Sequence, residues 1–263
     1  MPTLQVDVDV PLFYEVSGRG PAIILINGLS QTTTNWLTQS RRLAETFTVV
    51  CFDARGQGRT PLGRTPLLPD TMVSDLERLM NTLGLPRAHI CGFSFGARLA
   101  LAFAARCPTR VDRLILTSLG IGEDAQPRLI IRSWREVLER GGLEAMTWCA
   151  LPHIFGRDFI ARYERQMIQF VRATLHRNHP EGIRELLDVL TRFGDIYADA
   201  REVLAETLII LGDDDPLVGV DAVRELSAAF EACRVEVLPR SGHTVPIERP
   251  QEWRALVEDF TRR

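Results

Sequence analysis

A chain of 263 residues is long enough for one large domain or for a domain that carries an inserted lobe. Hydrophobic residues at 45%, charged residues at 25% and a formal net charge of -3 describe an ordinary globular composition and exclude a nucleic-acid binder or any other partner of a polyanion. All 31 basic residues are arginine, and the absence of lysine excludes Schiff-base chemistry, a pyridoxal-phosphate anchor and a lysine-bearing phosphate loop. Residues 4–16 alternate apolar and polar, with Asp9 near the middle and Pro11 after it. This pattern predicts two antiparallel strands joined by a tight turn, at the edge of a sheet. Pro21-Ala22-Ile23-Ile24-Leu25-Ile26 is instead a continuous apolar run, as in a strand covered on both faces, and Asn27-Gly28-Leu29-Ser30 breaks it into a loop. Residues 43–47 read as the end of a helix. Residues 48–52 then form a second buried strand, closed by the glycine-rich turn Asp53-Ala54-Arg55-Gly56-Gln57-Gly58.

Helical periodicity runs over 70–83 through Met72, Val73, Leu76, Leu79, Met80 and Leu83, with Gly84 as the stop. A short apolar strand then leads into Gly92-Phe93-Ser94-Phe95-Gly96. An alanine-rich helix is predicted over 97–107 and a strand over 114–117. From about Gly122 to Ala200 strand-like runs vanish, and helical faces are built from Trp134 and Leu138, then Phe159, Tyr163, Met167 and Phe170, then Ile183, Leu186 and Leu190. Strand and helix alternate again after that, with strands at 207–211 and 235–238 and helices at 220–230 and 250–260. The whole predicts an α/β fold: a mostly parallel, doubly wound sheet of about eight strands with flanking helices. Its core comprises residues 1–122 and 201–263, and a helical cap is inserted over 123–200. The five cysteines lack metal-ligand spacing and are expected as reduced, buried thiols. The N-terminus carries no basic and apolar leader, and no apolar run reaches the length of a membrane span. The expectation is a cytoplasmic protein.

Ser94 is the candidate nucleophile, because a strand-to-helix turn flanked by Gly92 and Gly96 holds a hydroxyl exposed beside the amides of a helix N-terminus. Such a serine needs a base and a carboxylate that orients it. Ser241-Gly242-His243-Thr244 follows one late strand and supplies His243 as the base. Gly212-Asp213-Asp214-Asp215-Pro216 follows another and supplies the acid. His89, at the start of the Ser94 strand, is expected to be structural. His153, His176 and His179 are expected in cap packing or on the surface. The aromatic stripe Phe155, Phe159, Tyr163 and Phe170 is expected mainly as cap core.

With these motifs in the order serine, aspartate, histidine, the sequence resembles the α/β-hydrolase fold superfamily over nearly all of the chain outside the helical insertion. The resemblance implies that Asp215, third after Gly212, is the acid, with Asp213 and Asp214 as solvated loop charges. It implies that the backbone amides of Leu29 and Phe95 form the oxyanion hole, each such donor being worth about 3 kcal/mol in the transition state. Asn27 stands where the family usually has histidine. The Asp53 to Gly58 turn matches a family turn taken as structural. A serine at the elbow disfavours the dehalogenase and epoxide-hydrolase branches, which use aspartate there. The segment from His176 to Gly182 has a weaker likeness to the lid of hydroxyacyl transferases.

The implied activity is cleavage of a carboxylic ester, lactone or thioester of a small acyl or aromatic substrate through an acyl-enzyme, with no metal or organic cofactor. Two readings stand beside it: an acyltransferase or cofactor-free perhydrolase on the same triad, and a non-catalytic ligand-binding member of the fold. The oligomeric state is open, a homodimer being one option.

Overall fold

The computed structural model describes residues 2–120 and 125–262. The chain begins with β1 (Thr3–Asp7), β2 (Val10–Ser17), β3 (Ala22–Ile26), α1 (Leu37–Leu43), β4 (Thr48–Phe52), α2 (Pro69–Thr82), β5 (Ala88–Phe93), α3 (Phe95–Arg106) and β6 (Val111–Thr117). Five helices follow without a strand: α4 (Ala125–Ile154), α5 (Arg157–Tyr163), α6 (Met167–Arg177), α7 (Pro180–Leu190) and α8 (Ile196–Arg201). The chain then returns to the sheet with β7 (Thr207–Gly212), α9 (Val220–Ser227), β8 (Cys233–Leu238), α10 (Val245–Glu248) and α11 (Pro250–Arg262). α4 is two helical stretches joined at Gly142, whose backbone is not helical (φ 76°, ψ -178°). The start expected for the cap, at 122 and 123, lies outside the described residues.

The eight strands form one sheet in the order β1-β2-β4-β3-β5-β6-β7-β8. β1 pairs antiparallel with β2 and β2 antiparallel with β4, while every pair from β4 to β8 is parallel. The continuous apolar strands follow from this topology. Ile24, Ile26, Val50, Phe52 and Ile90 face one layer of helices with Leu76, Leu99 and Leu226, while Ile23, Leu25, Val49, Cys91 and Ile115 face the other with Trp253 and Val257. Alternate residues therefore feed two cores, and each large side chain fully buried there is worth about 1.5–3 kcal/mol.

Strand order reverses between β3 and β5. The chain steps from β3 to β4 on one side and then to β5 on the other, so the loops leaving β3 and β5 diverge and open a crevice at the carboxyl edge of the sheet. The inserted helices cover that crevice. Among the described residues no helix is long and apolar enough to cross a membrane.

Three sequence expectations need correction in detail. The nucleophile-side helix starts at Phe95, two residues earlier than the alanine-rich run indicated. α1 stops at Leu43, and the Phe47 amide bonds back to Leu43 O across a turn where a helix end was expected. All five cysteines are free, but only Cys51 and Cys91 are buried; Cys107, Cys149 and Cys233 are half-buried. Burial pushes the Cys51 and Cys91 thiols upward and Cys233 up to about 12, so these thiols stay protonated and unreactive at neutral pH.

His89 sits inside the sheet layer with its ring edge-on to Phe47, 6.0 Å between centroids, and its Nδ1 has no hydrogen-bond partner among the described residues. Desolvation lowers its proton affinity below the ordinary histidine value near 6.5. The unfolded chain then binds a proton at this position that the folded chain refuses, so stability is lost as pH falls below about 6.5. Urea titrations at pH 7 and pH 5 should show wild type losing more stability between the two than His89→Gln does. Equal losses would contradict the assignment.

Candidate active site

Four loops at the carboxyl ends of β3, β5, β7 and β8 converge beneath the cap. The turn after β5 carries Ser94. Ser94 has φ 53° and ψ -116°, a strained conformation for a residue with a side chain, held by its amide donating to Thr117 O at 2.8 Å. A Cβ on Gly92 would come within 2.2 Å of Gly96 O, and one on Gly96 within 2.4 Å of Ile26 O, so both positions must be glycine for strand, turn and helix to approach this closely. Phe95 is the first residue of α3. Its amide is among those that an α-helix leaves without an internal acceptor.

The residues expected as a triad are brought together. His243 Nε2 lies 2.7 Å from Ser94 Oγ, and His243 Nδ1 lies 2.8 Å from Asp215 Oδ2. The other Asp215 oxygen accepts from the Leu217 amide at 2.8 Å. Asp215 and His243 are buried, whereas Ser94 is half-buried and opens to the cavity above. Asp213 and Asp214 are engaged elsewhere. Asp213 Oδ1 accepts from the Arg240 amide at 2.6 Å, and Asp214 Oδ2 accepts from the Arg157 amide at the start of α5 at 2.8 Å. Asp214 is therefore a tie between core and cap and not merely a solvated charge.

The loop after β3 is also fixed. Asn27, standing in place of the usual histidine, donates from Nδ2 to Phe52 O at 2.8 Å, which ties the loop to the end of β4. Leu29 lines the same cavity as Ser94. The Asp53 turn is a buried scaffold for this loop: its carboxylate accepts from the Thr33 amide at 2.7 Å and the Arg59 amide at 3.0 Å. Arg55 forms a buried two-point pair with Asp75, 2.5 and 2.9 Å, which holds its guanidinium charged.

A partly open cavity of about 100 Å³ lies between core and cap. Its walls are mostly apolar, with Phe93 from the core and Met146, Leu151, Phe155 and Phe170 from the cap, and with Gln31, Asn35, Thr147 and Thr174 as polar points. Phe155 and Phe170 thus both pack the cap and face the cavity, with rings 5.0 Å apart, while Phe159 stacks behind Phe155 at 4.8 Å. His153 accepts from Trp134 Nε1 at 3.2 Å, and His176 and His179 are exposed. Among the described residues no group of three or more His, Cys, Asp and Glu side chains is placed to hold a metal ion.

A model of the alpha/beta hydrolase family matches residues 23–256. The chain belongs to that family. A relative from Caulobacter sp. (strain K31), assigned as the carbamate hydrolase RutD, is 28% identical over 95% of each chain. The crystal structure of the enol-lactonase from Burkholderia xenovorans LB400 is 26% identical, covers 97% of each chain and superposes with a TM-score of 0.87. A thermophilic esterase from Thermogutta terrifontis, at 22% identity with 99% and 96% of the two chains covered and a TM-score of 0.88, shares the fold. On this alpha/beta hydrolase scaffold, the Ser94, His243 and Asp215 geometry is that of a catalytic-triad serine hydrolase.

Several residues around the hydrolase triad escape the sequence. Glu248 is the most connected of them. Its Oε2 accepts from the amides of Gly242 (3.0 Å) and Gly156 (3.1 Å), and its Oε1 accepts from the Thr244 amide (3.2 Å) and hydroxyl (2.8 Å). One carboxylate thus holds the residues on both sides of His243 and joins them to the cap. Ser118 Oγ donates to His243 O at 2.7 Å and anchors the same loop from beneath.

Proposed function

We propose that this protein hydrolyses a carboxylic ester or lactone with a small, largely apolar acyl portion, through an acyl-enzyme on Ser94. The observation that carries the reading is the unbroken relay from Ser94 Oγ through both ring nitrogens of His243 to Asp215, at 2.7 and 2.8 Å, opening on a compact apolar cavity. His243 Nε2 takes the serine proton as Oγ attacks the carbonyl carbon. Asp215 holds the Nδ1–H and stabilises the imidazolium that forms. The tetrahedral oxyanion accepts from the amides of Leu29 and Phe95, with the N-terminal end of α3 behind it. The imidazolium then protonates the departing alkoxide. Water, deprotonated by His243, releases the acid and restores Ser94. In this reading residues 123–200 act as a lid unit over a core of 1–122 and 201–263.

The small acyl portion follows from the cavity. It offers about 100 Å³ beneath the cap and is open on one side, which gives room for a short acyl chain while the leaving group extends toward the opening. The enol-lactonase relative supports including a cyclic ester. Hydrolysis of p-nitrophenyl acetate, butyrate and octanoate, run beside small lactones, tests the assignment. The acetate or butyrate should exceed the octanoate in kcat/KM by about tenfold or more, since each methylene that finds no room forfeits roughly 1 kcal/mol of binding. A preference for octanoate would contradict it.

A further inference from the structure

The loop that presents the Leu29 amide is gripped by two buried carboxamides, one from the core and one from the cap. Gln57 Nε2 donates to Gly28 O at 2.8 Å, and Asn178 Nδ2 donates to Ser30 O at 2.9 Å. Gly28 O and the Leu29 N–H belong to the same planar peptide and point in opposite directions, so a bond to that oxygen fixes where the N–H aims. Ser30, one residue on, has φ 59°, a left-handed conformation that a residue with a side chain does not hold unaided. Its carbonyl is where Asn178 attaches.

Asn178 stands at the end of α6, and the cap is seated on the core at this point by backbone. Gln57 and Asn178 pair as an isolated antiparallel bridge. Nearby, a Cβ on Gly182 of α7 would lie 2.0 Å from Gly56 O, so the two chains meet without side chains between them. Both carboxamides are at least 95% buried, with Gln57 1% and Asn178 5% exposed, and Gln57 Oε1 and Asn178 Oδ1 have no hydrogen-bond partner among the described residues. A buried amide that leaves one end unsatisfied is a costly way to fill space. Asn178 Nδ2 also donates to Thr174 O of α6 at 3.1 Å, so the side chain links the end of that helix to Ser30, and the donor ends of both carboxamides flank Leu29.

We propose that Asn178 is a positioning residue for the oxyanion hole, so that seating of the cap sets the direction of the Leu29 amide. This rests on the reading above, in which that amide receives the oxyanion. Gln57 holds one side of the 28–29 peptide and Asn178 acts on the other, through Ser30: without its bond Ser30 leaves the left-handed conformation and pulls Leu29 N–H off line against the Gln57 bond, while Ser94, His243 and Asp215 keep their places.

The test uses the full-length protein and two substitutions that remove the donor, Asn178→Leu and Asn178→Asp, the latter keeping the shape of the side chain. With p-nitrophenyl acetate, kcat should fall about 10- to 100-fold, a fraction of the 100- to 1000-fold cost of deleting an oxyanion donor outright, while KM stays within about threefold. An aliphatic trifluoromethyl ketone, which adds to Ser94 as a tetrahedral oxyanion, should bind more weakly by the same factor as kcat/KM. Unchanged kcat in either folded variant, or a fall in kcat with unchanged ketone affinity, would overturn the proposal and leave Asn178 as cap packing only. Ser94→Ala, run alongside, separates the two levels. If it keeps the wild-type rate, the serine-hydrolase reading itself falls; if it is silent while both Asn178 variants match wild type, the positioning role alone is lost.

Discussion

Ser94→Ala should lower kcat/KM for a short ester by about 10⁴-fold or more while leaving the thermal midpoint almost unchanged. The nucleophile cannot be replaced by water held in the same place, because the acyl-enzyme divides one difficult step into two easier ones. What survives is the modest acceleration given by the oxyanion donors and by substrate binding. The fold should tolerate the change because the features that hold the turn are in the backbone. The amide at position 94 still donates to Thr117 O, the carbonyl at 94 still accepts from the amides of Ala97 and Arg98, and the clearances at Gly92 and Gly96 are untouched. Initial rates and a melting curve on the same preparation check both halves. A variant that kept activity within tenfold of wild type would remove Ser94 from the chemistry.

Asp215→Asn carries the second large effect, a loss of about 10⁴-fold in kcat, by analogy with the corresponding substitution in another triad enzyme. The structure supplies the reason here. Because the Leu217 amide donates to Asp215 Oδ1, an asparagine at this position is held with its carbonyl oxygen at that site, which turns its NH₂ toward His243 Nδ1. The imidazole must then carry its proton on Nε2, and Ser94 meets a donor where it needs an acceptor. Asp213→Asn, whose carboxylate accepts from the Arg240 amide and lies outside the triad, should stay within about threefold of wild type. Steady-state kinetics of the two variants, with intact folding checked by circular dichroism, distinguishes a triad acid from a general effect of charge in the loop. Equal losses in both would refute the assignment.

Much of this was legible in the chain because the relevant signals are local. The runs Ile23 to Ile26 and Leu208 to Leu211 are apolar on both alternations because both faces of the sheet are buried, and that pattern needs no knowledge of partners. Gly92 and Gly96 mark the elbow because the backbone clearances admit nothing larger. Placing His243 and Asp215 after the last two strands put them at the same edge as Ser94 by topology alone. Where the reading stopped, the determinants were tertiary. Asn178 meets Ser30 across 148 residues, and Ser118 meets His243 across 125, and no period or motif in either segment points to the other. Leu29 and Phe95 are proposed to act through backbone amides, which every residue has, so no side-chain type marks them and only the resemblance to the family singled them out. Glu248 falls four residues after Thr244, one past the spacing of a capping box, so no local pattern marks it even though its carboxylate accepts from the Thr244 hydroxyl. Its full role is hidden from the sequence because the two glycine amides that complete it, at 156 and 242, come from different parts of the chain.

In the proposed mechanism Ser94 carries the acyl group during turnover. The most direct measurement is mass spectrometry of the intact protein, quenched in acid within the first turnovers on a slowly deacylating p-nitrophenyl ester, followed by peptide mapping. The expected result is a mass increase of one acyl group, located on the peptide containing Gly92-Phe93-Ser94-Phe95-Gly96 and absent from Ser94→Ala. An enzyme that released p-nitrophenol with acyl mass on another residue, with Ser94 unmodified throughout, would contradict it.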